Sequence, residues 1–223
     1  MGFTGEFVDL DRKWRTLLAE PLPGKPPLNK FATADCNTGK GEFLGYNQAE
    51  RDLTTRLFRD LIIASKITPI SFAVDRVAWA EIVTGKMAEH FPHGAWGEAF
   101  KMCAQAAILF SVLAPGHPLS CVFDQGQQGM ASLALTEKAK IEAAEWRVPI
   151  TFSFAAVKDV TGLQAADMIA TENYWYGLDY IRKGGEPAAR PHLRHLVDNA
   201  ETLTMMKDRE MILTMREKFD RAE

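Results

Sequence analysis

Three aspartates have the residue type that metal-assisted phosphodiester chemistry uses, although only tertiary structure could bring them together. Asp124 directly follows the short apolar run Leu119 to Phe123. After it comes Gln125-Gly126-Gln127-Gln128-Gly129, a glycine-rich turn that lets a ligand approach the backbone. Asp159 lies just past another such run, Pro149 to Phe154. Asp167 falls in a helical stretch, four residues after Leu163, three before Ala170 and seven before Tyr174, a spacing that predicts a carboxylate on the apolar, sheet-facing stripe. An unpaired ionised group buried there costs several kcal/mol, so a cation, a metal or a set of donors is expected beside it.

Phosphodiester cleavage near neutral pH calls for two oxygen-liking cations about 4 Å apart, held by several carboxylates. Mg²⁺ or Mn²⁺ is the expected cofactor, with Asp124 and Asp167 as metal ligands and Asp159 as a further catalytic candidate. Each acid also has a plainer role open to it. Asp124 and Asp159 suit turns or caps of the helices that follow them, and Asp167 suits pairing with an arginine or with donors near its helix start. Asp75, just after the run Thr68 to Val74, is expected to cap a helix. Beyond the Asp167 helix lie Arg182, Lys183, Arg190 and Arg194, with His192 and His195. They are placed to contact phosphates of a nucleic acid, and equally suit a solvated loop.

The elements that must position these groups follow from periodicity. Val8, Trp14, Leu17 and Leu18 predict a helix over 7–18, ended by the proline run 21–27. Asn47 with Glu50 three residues on is a capping box, and Leu53, Leu57, Leu61 and Ile62 predict the helix it starts, to about Lys66. Strands are expected at 68–74, 119–123 and 149–154, with helices around 79–83, 96–113 and 130–145 between and after them. That alternation predicts a mixed or parallel sheet flanked by helices. Further helices are expected over 162–181 and 203–219, and 102–113 reads as a buried core helix, about half the ~20 residues that span a bilayer.

Composition narrows the field. At 223 residues, one domain is the default, with 190–223 a C-terminal helical extension. A net charge of -3 gives no global attraction to nucleic acid or anionic membrane, so a phosphate-binding surface would be local. Cys36, Cys103 and Cys121 are too scattered for a disulfide framework or paired zinc ligands, which predicts a reducing, cytoplasmic setting. The sequence lacks a phosphate loop, a dinucleotide fingerprint, a Gly-x-Ser-x-Gly elbow and an export or lipidation signal. The pairs His90/His93 and His192/His195 lack nearby cysteines and read as solvated.

Gly2-Phe3-Thr4-Gly5, Trp14 to Leu18, Asp35-Cys36-Asn37 with Gly41-Glu42-Phe43, Val122 to Gln125 and Leu163-Gln164-Ala165-Ala166-Asp167-Met168 stand in that order. Together they resemble the family catalogued as domain of unknown function 3800, over nearly the whole chain. The resemblance implies a ribonuclease-H-like fold and acids suggestive of a metal-dependent nuclease, a hydrolase. It sets the family's middle-strand acid on Asp124, its helical acid on Asp167 and a polar position on Asp159. Where relatives often carry a histidine upstream of Asp35, this chain has Phe31, Ala32, Thr33 and Ala34. The family also opens with a strand bearing an Asp-x-Ser-Gly-like acid, whereas this sequence starts at the Gly-Phe-x-Gly element. A shortened start, another acid, or lost catalysis each account for that. The alternative to a nuclease is a binding or assembly module of the same fold, forming a homo-oligomer through an exposed sheet edge or the C-terminal helix.

Overall fold

The computed structural model describes residues 1–2, 4–113, 118–125, 130–183, 194, 198–200 and 202–222. Helices α1 (Thr4–Ala19), α2 (Thr33–Thr38) and α3 (Gln48–Ala64) precede strand β1 (Ile70–Val74). Helices α4 (Arg76–Ile82), α5 (Lys86–His90) and α6 (Gly94–Leu113) lead to β2 (Leu119–Asp124). Helix α7 (Met130–Glu145) leads to β3 (Ile150–Ala155), α8 (Thr161–Lys183) to β4 (Leu203–Lys207), and α9 (Arg209–Ala222) follows. The fold is mixed α/β with parallel pairing, as the alternation of runs predicts. Ile70 to Val74 pair with Leu203 to Lys207, and Leu119 to Asp124 pair with Ile150 to Ala155. Among the described residues these are two separate two-stranded sheets.

Local chemistry fixes the helix starts. Asn47 Oδ1 accepts from Glu50 N–H at 3.0 Å while Glu50 Oε2 accepts from Asn47 N–H at 2.8 Å, the reciprocal box expected for α3. Asp75 is buried, and its Oδ1 accepts from the amides of Val77 and Ala78, each at 3.0 Å. It caps α4, as its place after a strand predicts. Asp75→Ala is expected to lower stability by about 1–2 kcal/mol, read as a fall in the urea midpoint at constant slope. An unchanged midpoint would remove the cap from the energetics.

Two expectations are corrected. Residues 203–207 are a strand rather than the start of a helix, so the C-terminal segment does not form a purely helical extension. Leu203 N–H donates to Pro69 O at 2.9 Å and Asp75 N–H to Lys207 O at 3.0 Å, extending the β1–β4 pairing at both ends. Asp208 then starts α9 by accepting from Met211 N–H at 2.9 Å. Nor is 102–113 a fully buried helix. Only Ile108 and Ser111 are buried there, while Leu109 and Leu113 are exposed. Among the described residues no helix is long and apolar enough to cross a membrane.

The main core gathers Trp14, Phe31, Phe43, Phe58 and Ile62 with Ala165 and Met168 of α8. A second cluster joins Trp79, Ile82 and Met87 to Ile212 of α9. Alternation along the strands sets which helix each face meets. Phe123 stacks on Phe100 of α6 with centroids 5.2 Å apart, and Lys207 bonds to Glu98 of α6. On the opposite face of β1 and β4, Asn173 of α8 bonds to Ser71 at 2.8 Å and Gly177 packs on Met206.

Candidate functional site

Asp124 is the last residue of β2 and is half-buried. Because Phe123 faces α6, the alternation turns Asp124 away from α6, onto the strand face that carries Ser120 and Val122. That face is open: Ser120, Val122, Thr151 and Ser153 are all exposed, and the Ser120 and Thr151 hydroxyls lie 3.1 Å apart. Helix α8 packs against β2 as well as β1.

Asp167 is exposed, not inward. The stripe of Leu163, Asp167, Ala170 and Tyr174 has helical period, but its phase is opposite to the one its apolar members suggest. Tyr174 is 57% exposed, while Gln164, Ala165, Met168, Glu172, Asn173 and Gly177 form the buried face. The cause is polar. Gln164 is fully buried, its Oε1 accepting from Trp14 Nε1–H at 3.0 Å and from Phe31 N–H at 2.8 Å. Its Nε2 donates to Val157 O at 3.1 Å. Those bonds turn α8 so that three polar side chains point inward and Asp167 meets water. Burial therefore does not force a cation upon Asp167.

Asp159 is exposed in the turn before α8, where its carbonyl accepts from Arg15 Nη2 at 3.2 Å. Nearby, Thr161 Oγ1 donates to Asp11 at 2.9 Å, and Asp11 pairs with Arg15 at 2.9 Å. Asp159 thus belongs to the seam between α1 and α8. The Arg15 guanidinium holds the Asp11 carboxyl below the usual range. Arg182 and Lys183 are exposed at the far end of α8, fifteen residues or about 22 Å along the axis from Asp167. Arg194 is exposed, and Arg190, His192 and His195 lie outside the described residues. The basic residues described on α8 therefore stand well apart from the carboxylates.

Among the described residues no three His, Cys, Asp or Glu side chains come together as a metal-holding group. Mg²⁺ commonly keeps several waters and binds through one or two carboxylates plus a substrate phosphate, so a set of three side chains is not a requirement for it. The three thiols are unsuited to nucleophilic work. Burial raises each of them, Cys121 to about 11, so they remain protonated near neutral pH. His90 packs edge-on against Phe219, with Nδ1 3.1 Å from Lys86 O.

No protein-family profile, curated protein or solved structure matches the chain.

Sequence periodicity misses Gln164, the residue that organises this region. A signal was present: Gln164, Met168 and Glu172 recur every four residues, and a fully bonded glutamine belongs inside as readily as an alanine.

Proposed function

We propose that the chain is a ribonuclease-H-like, metal-dependent phosphodiesterase acting on nucleic acid, with Asp124 and Asp167 as its metal-holding acids. The observation that carries this is the position of Asp124. It ends a parallel strand, on the open face, and ligands of α/β sheets collect at the carboxyl ends of such strands. Asp167 adds a second solvent-reachable carboxylate on the helix that meets this strand. The resemblance to domain of unknown function 3800 pairs the same two residues. Mg²⁺ or Mn²⁺ would supply Lewis-acid polarisation of the phosphoryl oxygen. The two carboxylates orient it, and the Ser120, Thr151 and Ser153 face offers hydroxyls to the sugar-phosphate backbone. Arg182 and Lys183, about 22 Å along α8 from Asp167, would meet only phosphates several nucleotides away from the cleaved one.

Incubating single-stranded and duplex RNA and DNA with the protein and Mn²⁺ tests this. Cleavage is expected from the wild type and only metal-free background from Asp124→Asn and Asp167→Ala. Asp167 is exposed, so Asp167→Ala should change stability by less than about 0.5 kcal/mol, and its loss of cleavage would reflect chemistry rather than unfolding. A wild type inactive on all four substrates, or an Asp167→Ala variant as active as the wild type, rejects the proposal.

A further inference from the structure

The aromatic side chains between α6 and the β2–β3 pair stack, whereas those of the main core meet edge to face. In the main core Trp14 meets Phe31 at 86° and Phe31 meets Phe43 at 83°. Phe100 and Phe123 lie 23° from parallel, Phe123 and Phe152 26°, and Phe123 and Phe154 37°. Trp96 continues this column, with its ring 5.8 Å from that of Phe100 at 37°. It is 43% exposed, while the other four members are half-buried. Among the described residues Trp96 makes no second ring contact, so the column ends in a partly uncovered indole.

That open end stands at the carboxyl end of β2. Helix α6 runs against the direction of the strand. Phe100 packs on Phe123, and Ile108, two turns further along α6, shares a cluster with Leu119 at the start of β2. The two spans match, at about 12 Å of helix and about 13 Å of strand. Trp96, one turn before Phe100, therefore lies about 6 Å farther out, level with Asp124 and Gln125. The Asp124 side chain turns away from α6, so it and Trp96 flank the strand end from opposite sides.

We propose that Trp96 is a nucleobase platform and that the substrate is a single-stranded nucleic acid. This rests on the reading of Asp124 as the phosphate end of the site. A column of near-parallel rings is extended by one more flat ring, and every nucleobase has a π-face, so such stacking tolerates any sequence. With a phosphate at Asp124, the adjoining base reaches Trp96 by passing round the end of β2. An unpaired nucleotide can make that turn, whereas a duplex keeps its bases inside the helix. Stacking also needs no general excess of positive charge, which suits a chain of net charge -3.

The test is the fluorescence anisotropy of labelled strands in EDTA at one salt concentration, so that binding is read apart from cleavage. The probes are a twelve-nucleotide thymidine strand, the same sugar-phosphate strand without bases, and the thymidine strand paired to its complement. The wild type is expected to hold the thymidine strand about 5- to 150-fold more tightly than the baseless one, the span that one stacked base contributes. It should also prefer the thymidine strand to the duplex. Trp96→Ala should abolish the preference for bases and Trp96→Phe should keep most of it. Tyr174→Ala, which removes an exposed ring of α8 outside the column, should leave it intact. Equal binding of the thymidine and baseless strands, a duplex bound at least as tightly as the single strand, or no binding of the thymidine strand at millimolar concentration overturns the proposal without any variant. So does an unchanged preference in Trp96→Ala. Base-dependent binding that needs Trp96, found without Mn²⁺-dependent cleavage, would keep the platform and reject the phosphodiesterase reading.

Discussion

Gln164→Leu is expected to lower the stability of the chain by about 3–6 kcal/mol, a large share of the 5–15 kcal/mol that ordinarily separates folded from unfolded domains. Leucine matches the volume of glutamine, so the effect isolates the hydrogen bonds. The Trp14 indole N–H and the Phe31 amide would lose a shared acceptor, and Val157 O would lose its donor. Trp14 and Phe31 are fully buried, so no water replaces the oxygen that is removed. Each stranded group costs about 1–3 kcal/mol. Gln164→Glu separates the two halves of the network: it keeps the acceptor, drops the donor to Val157 and adds a buried charge, so it too should be strongly destabilising. Urea unfolding followed by tryptophan fluorescence reads both variants. A loss below about 1 kcal/mol for Gln164→Leu would mean that α8 is held by its apolar contacts alone.

This glutamine also explains where sequence reasoning succeeded and where it failed. The Asn47 box, the Asp75 cap and the first three strands were legible because their causes lie within a few residues of the effect. Helix α8 was legible as a helix, with its period, but not in its phase. Hydropathy assigns inward positions to Leu163, Ala170 and Tyr174, and that placed Asp167 with them. The true inward face carries Gln164, Glu172 and Asn173, and the partners of Gln164 (Trp14 and Phe31) and of Asn173 (Ser71) are distant in the chain. Strand β4 escaped for the same reason. Leu203-Thr-Met-Met-Lys207 continues the methionine spacing of the next helix, and only pairing with Ile70 to Val74 makes it extended. Asp124 was legible as a strand end, whereas its turn away from α6 depends on Phe123 stacking against Phe100.

Lys207→Met is expected to cost about 3–5 kcal/mol, although the pair it breaks contributes little net stability. Lys207 Nζ lies 2.5 Å from Glu98 Oε1, with both side chains largely buried at 13% and 6% exposure. The Glu98 Oε2 is buried without a hydrogen-bond partner among the described residues, so Lys207 is the counterion that offsets the cost of burying this carboxylate. Methionine is shorter and uncharged and meets an apolar neighbour in Met215, whose Sδ lies 3.9 Å from the ammonium. What it cannot do is neutralise Glu98. The double variant Lys207→Met/Glu98→Leu, which removes both charges, should therefore recover most of the loss, giving a coupling of several kcal/mol in the cycle of four proteins. Independent losses that simply add would show that the pair is solvated. The same bond ties the end of β4 to the first turns of α6, the helix that forms a wall of the cavity beside β2. If Lys207→Met loosens α6, exchange at Ala104 and Ala107 should rise along with that of β4, whereas a purely local defect would leave the cavity wall as protected as before.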